Sequence, residues 1–164
     1  MFVVMVYWAS ILTYMATQNR WEVKWHELYT IEVGECPEIP SKKEIRKLLR
    51  KEFHYLYVYY EFEYGKHGQF DQGNALSVLN VVYVCDNIEG VEYTMVLAHE
   101  ISHCRFKSIN ECYTEFKAIT TLYESDNEFL HYVGVYWANE ILSGQKGGWE
   151  YDCGYYLDKY LKGE

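Results

Sequence analysis

The hydrophobic period of the chain changes several times, and each change marks an element. Residues 1–17 are uncharged and largely apolar, but Ser10, Thr13 and Thr17 dilute a run already short for a membrane span. Neither a basic start nor a small-residue cleavage site marks it as a signal peptide. It reads as a buried strand or core helix, with a peripheral anchor as the lesser alternative. From Trp21, the apolar Trp21, Val23, Trp25, Tyr29, Ile31 and Val33 alternate with Glu22, Lys24, His26 and Glu32, the period-2 mark of a half-buried strand. Residues 34–40 break that pattern. Ser41 and Glu44 form a capping-box pair, and Ile45, Leu48, Leu49 and Phe53 recur at helical spacing through a basic run. An amphipathic helix with a basic, solvated outer face is expected there. Residues 56–64 alternate again, with Leu56, Val58, Tyr60 and Phe62 on one face. A polar loop over 65–73 then leads to a more buried strand over 78–85.

After a turn at 86–90, residues 91–106 read as a helix free of Pro and Gly. Ser108 with Glu111, and Ser125 with Glu128, are two further capping-box pairs that predict helices over about 109–123 and 127–142. Gly144 ends the second, and a last helix is expected over about 149–161. Strands first and helices after them point to an α+β fold, in which a small mixed or antiparallel sheet backs the helices.

Composition narrows the function classes. At 164 residues and 49% hydrophobic, the chain has the size and apolar content of a single domain, 1–164. Its formal charge of -9 repels phosphate backbones and anionic lipid, which argues against nucleic acid as a partner and against membrane association. The five Cys are odd in number and contain no C-x-x-C pair, so they form neither a secreted disulfide framework nor a zinc ribbon. A soluble, cytoplasmic protein is the expectation. Cys104 and Cys112 flank a short connection at mirror-image positions, leaving open either a bridge between two helices or a pair of buried thiols.

His99-Glu100-Ile101-Ser102-His103 is an H-E-x-x-H motif on the helix predicted over 91–106. Residues four apart stack on one helix face, so His99 and His103 can give two imidazole nitrogens to one Zn2+ while Glu100 flanks the open position as a general base. A catalytic zinc needs a third protein ligand, and a helix returning antiparallel is a short route to it. With the turn near Lys107, residue 111 comes level with His103 and residue 115 with His99, and both are glutamates. A rival assignment stays open, with Glu111 held in the capping box of Ser108 and Glu115 as the ligand.

These residues resemble the gluzincin metallopeptidases, including the shorter minigluzincin and ImmA/IrrE-like members. There H-E-x-x-H precedes a glutamate helix like Asn110-Glu111-Cys112-Tyr113-Thr114-Glu115. The resemblance covers residues 74–122 at the level of motifs. It implies Glu111 as a zinc ligand, Glu115 behind His99, a zinc-activated water with Glu100 as base, and a peptide or protein substrate. It also implies that the substrate pairs with an edge strand just before the active helix, for which residues 76–84 are the expected segment. His131, Tyr132 and Tyr113 are the candidates to hold an oxyanion. A second function class is a non-catalytic metal-binding or interaction module in which the motif supports no turnover.

Overall fold

The computed structural model describes residues 31–65, 72–143 and 150–164. Residues 1–30, 66–71 and 144–149 lie outside it, and with them the apolar start, most of the strand expected over 21–33, and the Gly144 stop. The described part of that strand, 31–33, is irregular.

The elements run α1 (Lys42–Glu52), β1 (Val58–Phe62), β2 (Gly73–Leu76), β3 (Val81–Cys85), α2 (Gly90–Phe106), α3 (Glu111–Tyr123), α4 (Glu128–Leu142) and α5 (Glu150–Lys162). The architecture is a small mixed α+β one. The described strands form a sheet of order β1-β3-β2, with β1 parallel to β3 and β2 antiparallel to it. β3 is central because it is the most apolar of the three, with Val82, Val84 and Cys85 fully buried. β2 is shorter and starts earlier than the expected loop over 65–73 allows. It reaches β3 through a turn at 77–80 in which Asn80 is left-handed, at φ 55°. Residues 76–84 are therefore not the edge strand: they are the end of β2, a turn and most of the central strand.

α1 begins at the expected capping box. The Glu44 backbone N–H donates to Ser41 Oγ, and the Ser41 N–H donates back to the Glu44 carboxylate at 2.9 Å. Ile45 and Leu49 carry its apolar stripe into the core, as the helical spacing requires. The face expected around β1 is reversed over residues 56–60, whereas Phe62 packs against the core and Glu61 is exposed. Leu56, Val58 and Tyr60 are exposed, while Tyr57 and Tyr59 turn inward under the guanidinium groups of Arg50 and Arg46. Arginine over a tyrosine face gains cation–π attraction, so the basic helix offers these rings a partner that the aliphatic side chains could not use.

α2 is buried on almost every side, with Tyr93, Leu97, Ala98, Ile101 and Cys104 inaccessible to solvent. Such a helix has no solvent stripe because it lies against sheet and helices at once. α3 and α4 cross closely at Gly134, where a Cβ would fall 2.3 Å from the Tyr123 backbone nitrogen. No helix among the described residues is long and apolar enough to cross a membrane.

Both later capping boxes are displaced. Asn110 caps α3 by accepting from the Tyr113 N–H at 2.8 Å, and Asn127 caps α4 by accepting from the Leu130 N–H at 3.0 Å. Ser108 and Ser125 each lie two residues earlier and accept the N–H of the capping asparagine, both at 3.1 Å. Serine and asparagine cap about equally well, and here the serines shape the entry turn instead. Glu111 is thus not held by Ser108.

Candidate metal centre

α2 and α3 form the expected helical hairpin. α2 stops at Lys107, which takes a left-handed conformation (φ 50°, ψ 40°) and reverses the chain within a few residues. The reversal carries the first turn of α3 alongside the last turns of α2. His99 Nε2 then lies 2.9 Å from Glu111 Oε2, His103 Nε2 lies 3.3 Å from the same oxygen, and the two histidine nitrogens are 3.0 Å apart.

The donor chemistry of this triangle fits a cation. His103 Nδ1 faces the Ser108 carbonyl at 2.7 Å. A carbonyl can only accept, so Nδ1 carries the proton, and in the neutral ring the Nε2 lone pair is left pointing at His99 and Glu111. Thr114 Oγ1, fully buried on α3, sits 3.3 Å from the same Nδ1 and adds a second polar contact. A tetrahedral ion with bonds of about 2.0–2.1 Å holds its ligands roughly 3.3 Å apart, close to the three separations found here. His99, His103 and Glu111 could therefore hold a metal ion. Glu111 remains half exposed at the rim, where an acidic first residue also complements the positive end of α3.

Glu115 has a different place. It is buried at 3% exposure, and its Oε1 accepts the Trp137 indole N–H of α4 at 3.0 Å. It is not one of the three converging donors, and Glu111 is. The sequence reading missed Trp137, which looks like ordinary core on α4. The available signal was chemical: a buried indole N–H needs an acceptor, and a buried carboxylate on a neighbouring helix is one.

Glu100 is also buried, at 8% exposure, and lines a cleft of about 540 Å³ together with His99, His103 and Glu111. The opposite wall is β2, through Gly73, Asn74 and Ala75. Gly73 was not singled out from the sequence, yet its missing side chain makes the room. A Cβ there would stand 2.8 Å from Glu100 Oε1, 2.9 Å from Glu100 Cγ and 2.7 Å from Val96 Cγ1. None of the three oxyanion candidates lines the cleft. Tyr113 packs edge-on to Phe106, Tyr132 stacks on Tyr136, and His131 Nδ1 donates to the Tyr123 carbonyl at 2.6 Å.

Cys104 and Cys112 are not bridged. The Cys104 thiol points toward the Val81 carbonyl of β3, and burial pushes its pKa up from the ordinary thiol value.

Comparison with known proteins gave no match among family models, curated proteins or solved structures. Function is therefore read from the chemistry of the cleft itself.

Proposed function

We infer that the chain is a zinc-dependent peptidase of the gluzincin kind, hydrolysing peptide bonds with Glu100 as general base. The observation that carries this reading is the convergence of His99 Nε2, His103 Nε2 and Glu111 Oε2 in a cleft that also holds a buried carboxylate and ends on a strand edge. Two imidazoles and one carboxylate are a donor set suited to catalytic zinc, with one position left for water. A zinc ion bound there supplies Lewis acidity and a water acidified to near neutrality.

The remaining steps belong to the chain's own groups. The Ser108 carbonyl fixes the tautomer and ring plane of His103, keeping its Nε2 available as a ligand. Glu100 takes a proton from the attacking water and returns it to the leaving amine, as a carboxylate set beside the ligand histidines can. Its burial against Gly73 and Val96 limits the rotamers it can adopt. β2, the edge among the described strands, presents its outer backbone groups to an extended peptide, which adds as a further strand across the cleft.

Zinc content and hydrolysis test this together. The purified chain should bind one zinc, and zinc at about 100 times its Kd should add roughly 2.7 kcal/mol of stability. His99→Ala should lose both effects. Glu100→Gln should keep the zinc and its stabilisation but lose hydrolysis of a fluorogenic peptide library, since an amide accepts no proton. A wild-type chain that takes up no zinc, or a Glu100→Gln chain as active as wild type, overturns the reading. Stoichiometric zinc with no peptide cut points to the non-catalytic metal-binding module.

A further inference from the structure

A second cavity, of about 660 Å³, opens beside the metal-binding cleft and shares two of its walls, Gln72 and Val96. Val96 precedes His99 and Glu100 by about one helical turn, so the cavity begins roughly 5 Å along α2 from the reacting position. That is the distance at which a side chain flanking the attacked bond would leave an extended peptide. Its walls are apolar: Val91, Met95 and Val96 from α2 face Tyr136 and Trp137 from α4. The Trp137 N–H is committed to Glu115 on the far side, so this indole offers the cavity no hydrogen-bond donor.

Two carboxylates complete the lining, Glu92 and Glu140. Glu92 Oε1 accepts from Gln72 Nε2 at 2.5 Å, which fixes this carboxylate beside the wall shared with the cleft. Among the described residues, neither Glu92 nor Glu140 is in an ion pair. Glu140 stands in the last turn of α4, which contains no basic residue, so the negative end of that helix adds to its charge. The positive end of α2 opposes a cation here, but Glu92 in its first turn offsets it. An apolar-walled cavity that carries two carboxylates in its lining matches a side chain with an aliphatic stem and a cationic head.

We propose that this cavity is a side-chain subsite selecting a lysine or arginine next to the bond under attack. The proposal rests on the peptidase reading for its register with the cleft, but its ligand preference is a binding property and can be measured without turnover. The chain's net charge of -9 acts in the same direction, since it draws cationic peptides toward the surface.

The test uses the zinc-loaded full chain carrying Glu100→Gln and isothermal titration with acetylated, amidated alanine hexapeptides bearing one central residue. Lysine is compared with norleucine, which keeps the stem and removes the charge. The lysine peptide should bind at least 10-fold more tightly at low salt, and the ratio should shrink as ionic strength rises. Adding Glu92→Gln and Glu140→Gln, both isosteric and clear of the metal ligands, should bring the two peptides to within about 2-fold of one another. Equal binding in the parent chain, a preference that survives both substitutions, or no binding of either peptide at millimolar concentration overturns the subsite. Hydrolysis by the wild-type chain keeps the two ideas apart. Peptides cut with no lysine preference sink the subsite alone, and lysine-selective binding with no cleavage sinks the peptidase reading alone.

Discussion

Replacing Gly73 by alanine probes the cleft with one carbon atom. Its φ lies outside the left-handed region that disfavours side chains, so alanine meets no backbone penalty and the effect comes from space alone. The new Cβ would sit 2.7 Å from Val96 Cγ1, 2.8 Å from Glu100 Oε1 and 2.9 Å from Glu100 Cγ. Carbon pairs settle at about 3.5 Å or more, so Glu100 and Val96 must each withdraw by roughly 0.6–0.8 Å, or β2 must lift off α2 by as much. Overpacking of this size costs about 1–3 kcal/mol, or ~3–9 °C in Tm for a chain of this length. Displacing a general base by close to 1 Å costs on the order of 100-fold in rate. On the peptidase reading proposed above, Gly73→Ala should therefore bind zinc like wild type, melt several degrees lower, and hydrolyse peptide with kcat reduced far more than KM is raised. A second change separates the two collisions. Val96→Ala in the same chain removes the shortest contact and should recover part of the melting temperature while leaving kcat low, because the contact with Glu100 persists. Differential scanning fluorimetry and steady-state kinetics read both. Full activity in Gly73→Ala would refute the idea that the bare backbone of β2 seats the base.

Two other outcomes follow from buried polar groups. Trp137→Phe keeps most of the apolar ring but removes the only N–H of the indole, which donates to the buried Glu115; urea unfolding should show a loss of about 1.5–3 kcal/mol, and Glu115→Gln in the same background should restore part of it. Thiol labelling at neutral pH should modify exposed Cys36 quickly and leave buried Cys85, Cys104 and Cys153 protected, while all five thiols should react in denaturant without reductant; a count of three there would mean a bridge and contradict the unbridged Cys104 and Cys112.

The centre was legible in the sequence because its parts are local. An i, i+4 histidine pair needs only a helix, and a glutamate 8 residues past His103 needs only a tight reversal, so periodicity and one short loop were enough to bring His99, His103 and Glu111 together. The helix caps were misplaced by two residues because Ser-Ile-Asn and Ser-Asp-Asn each contain two competent caps, and propensity does not say which one faces the helix. The sheet was the least legible part. Its order joins β1 to β3 across an intervening strand, and nothing local encodes that pairing. The turn between β2 and β3 contains no Gly or Pro, so residues 78–80 looked like the continuation of a strand. The inverted face around β1 has a similar origin. Both faces of residues 56–60 carry apolar or aromatic side chains, so alternation alone does not say which one an arginine-bearing helix covers.

The cleft needs a strand edge and a helical hairpin held at a fixed separation, and Lys107 shows how this chain does it. A left-handed conformation at a helix end favours glycine, and a lysine there is strained by about 1 kcal/mol. Glycine would relax that strain but lose the side chain. The Lys107 ammonium donates to the Ser77 carbonyl at 2.6 Å and to Asn80 Oδ1 at 2.8 Å, both in the turn between β2 and β3. Asn80 is itself left-handed and accepts the Tyr55 hydroxyl, which ties the same turn to the segment after α1. Two left-handed residues thus face each other across one ion-assisted contact, Lys107 ending the histidine helix and Asn80 closing the turn that leads from β2 into β3. Both contacts are exposed to solvent, so each is worth at most about 1 kcal/mol, and together they offset the backbone strain at Lys107. The hinge that sets Glu111 against the two histidines and the turn that sets β2 against Glu100 are therefore braced by the same amine.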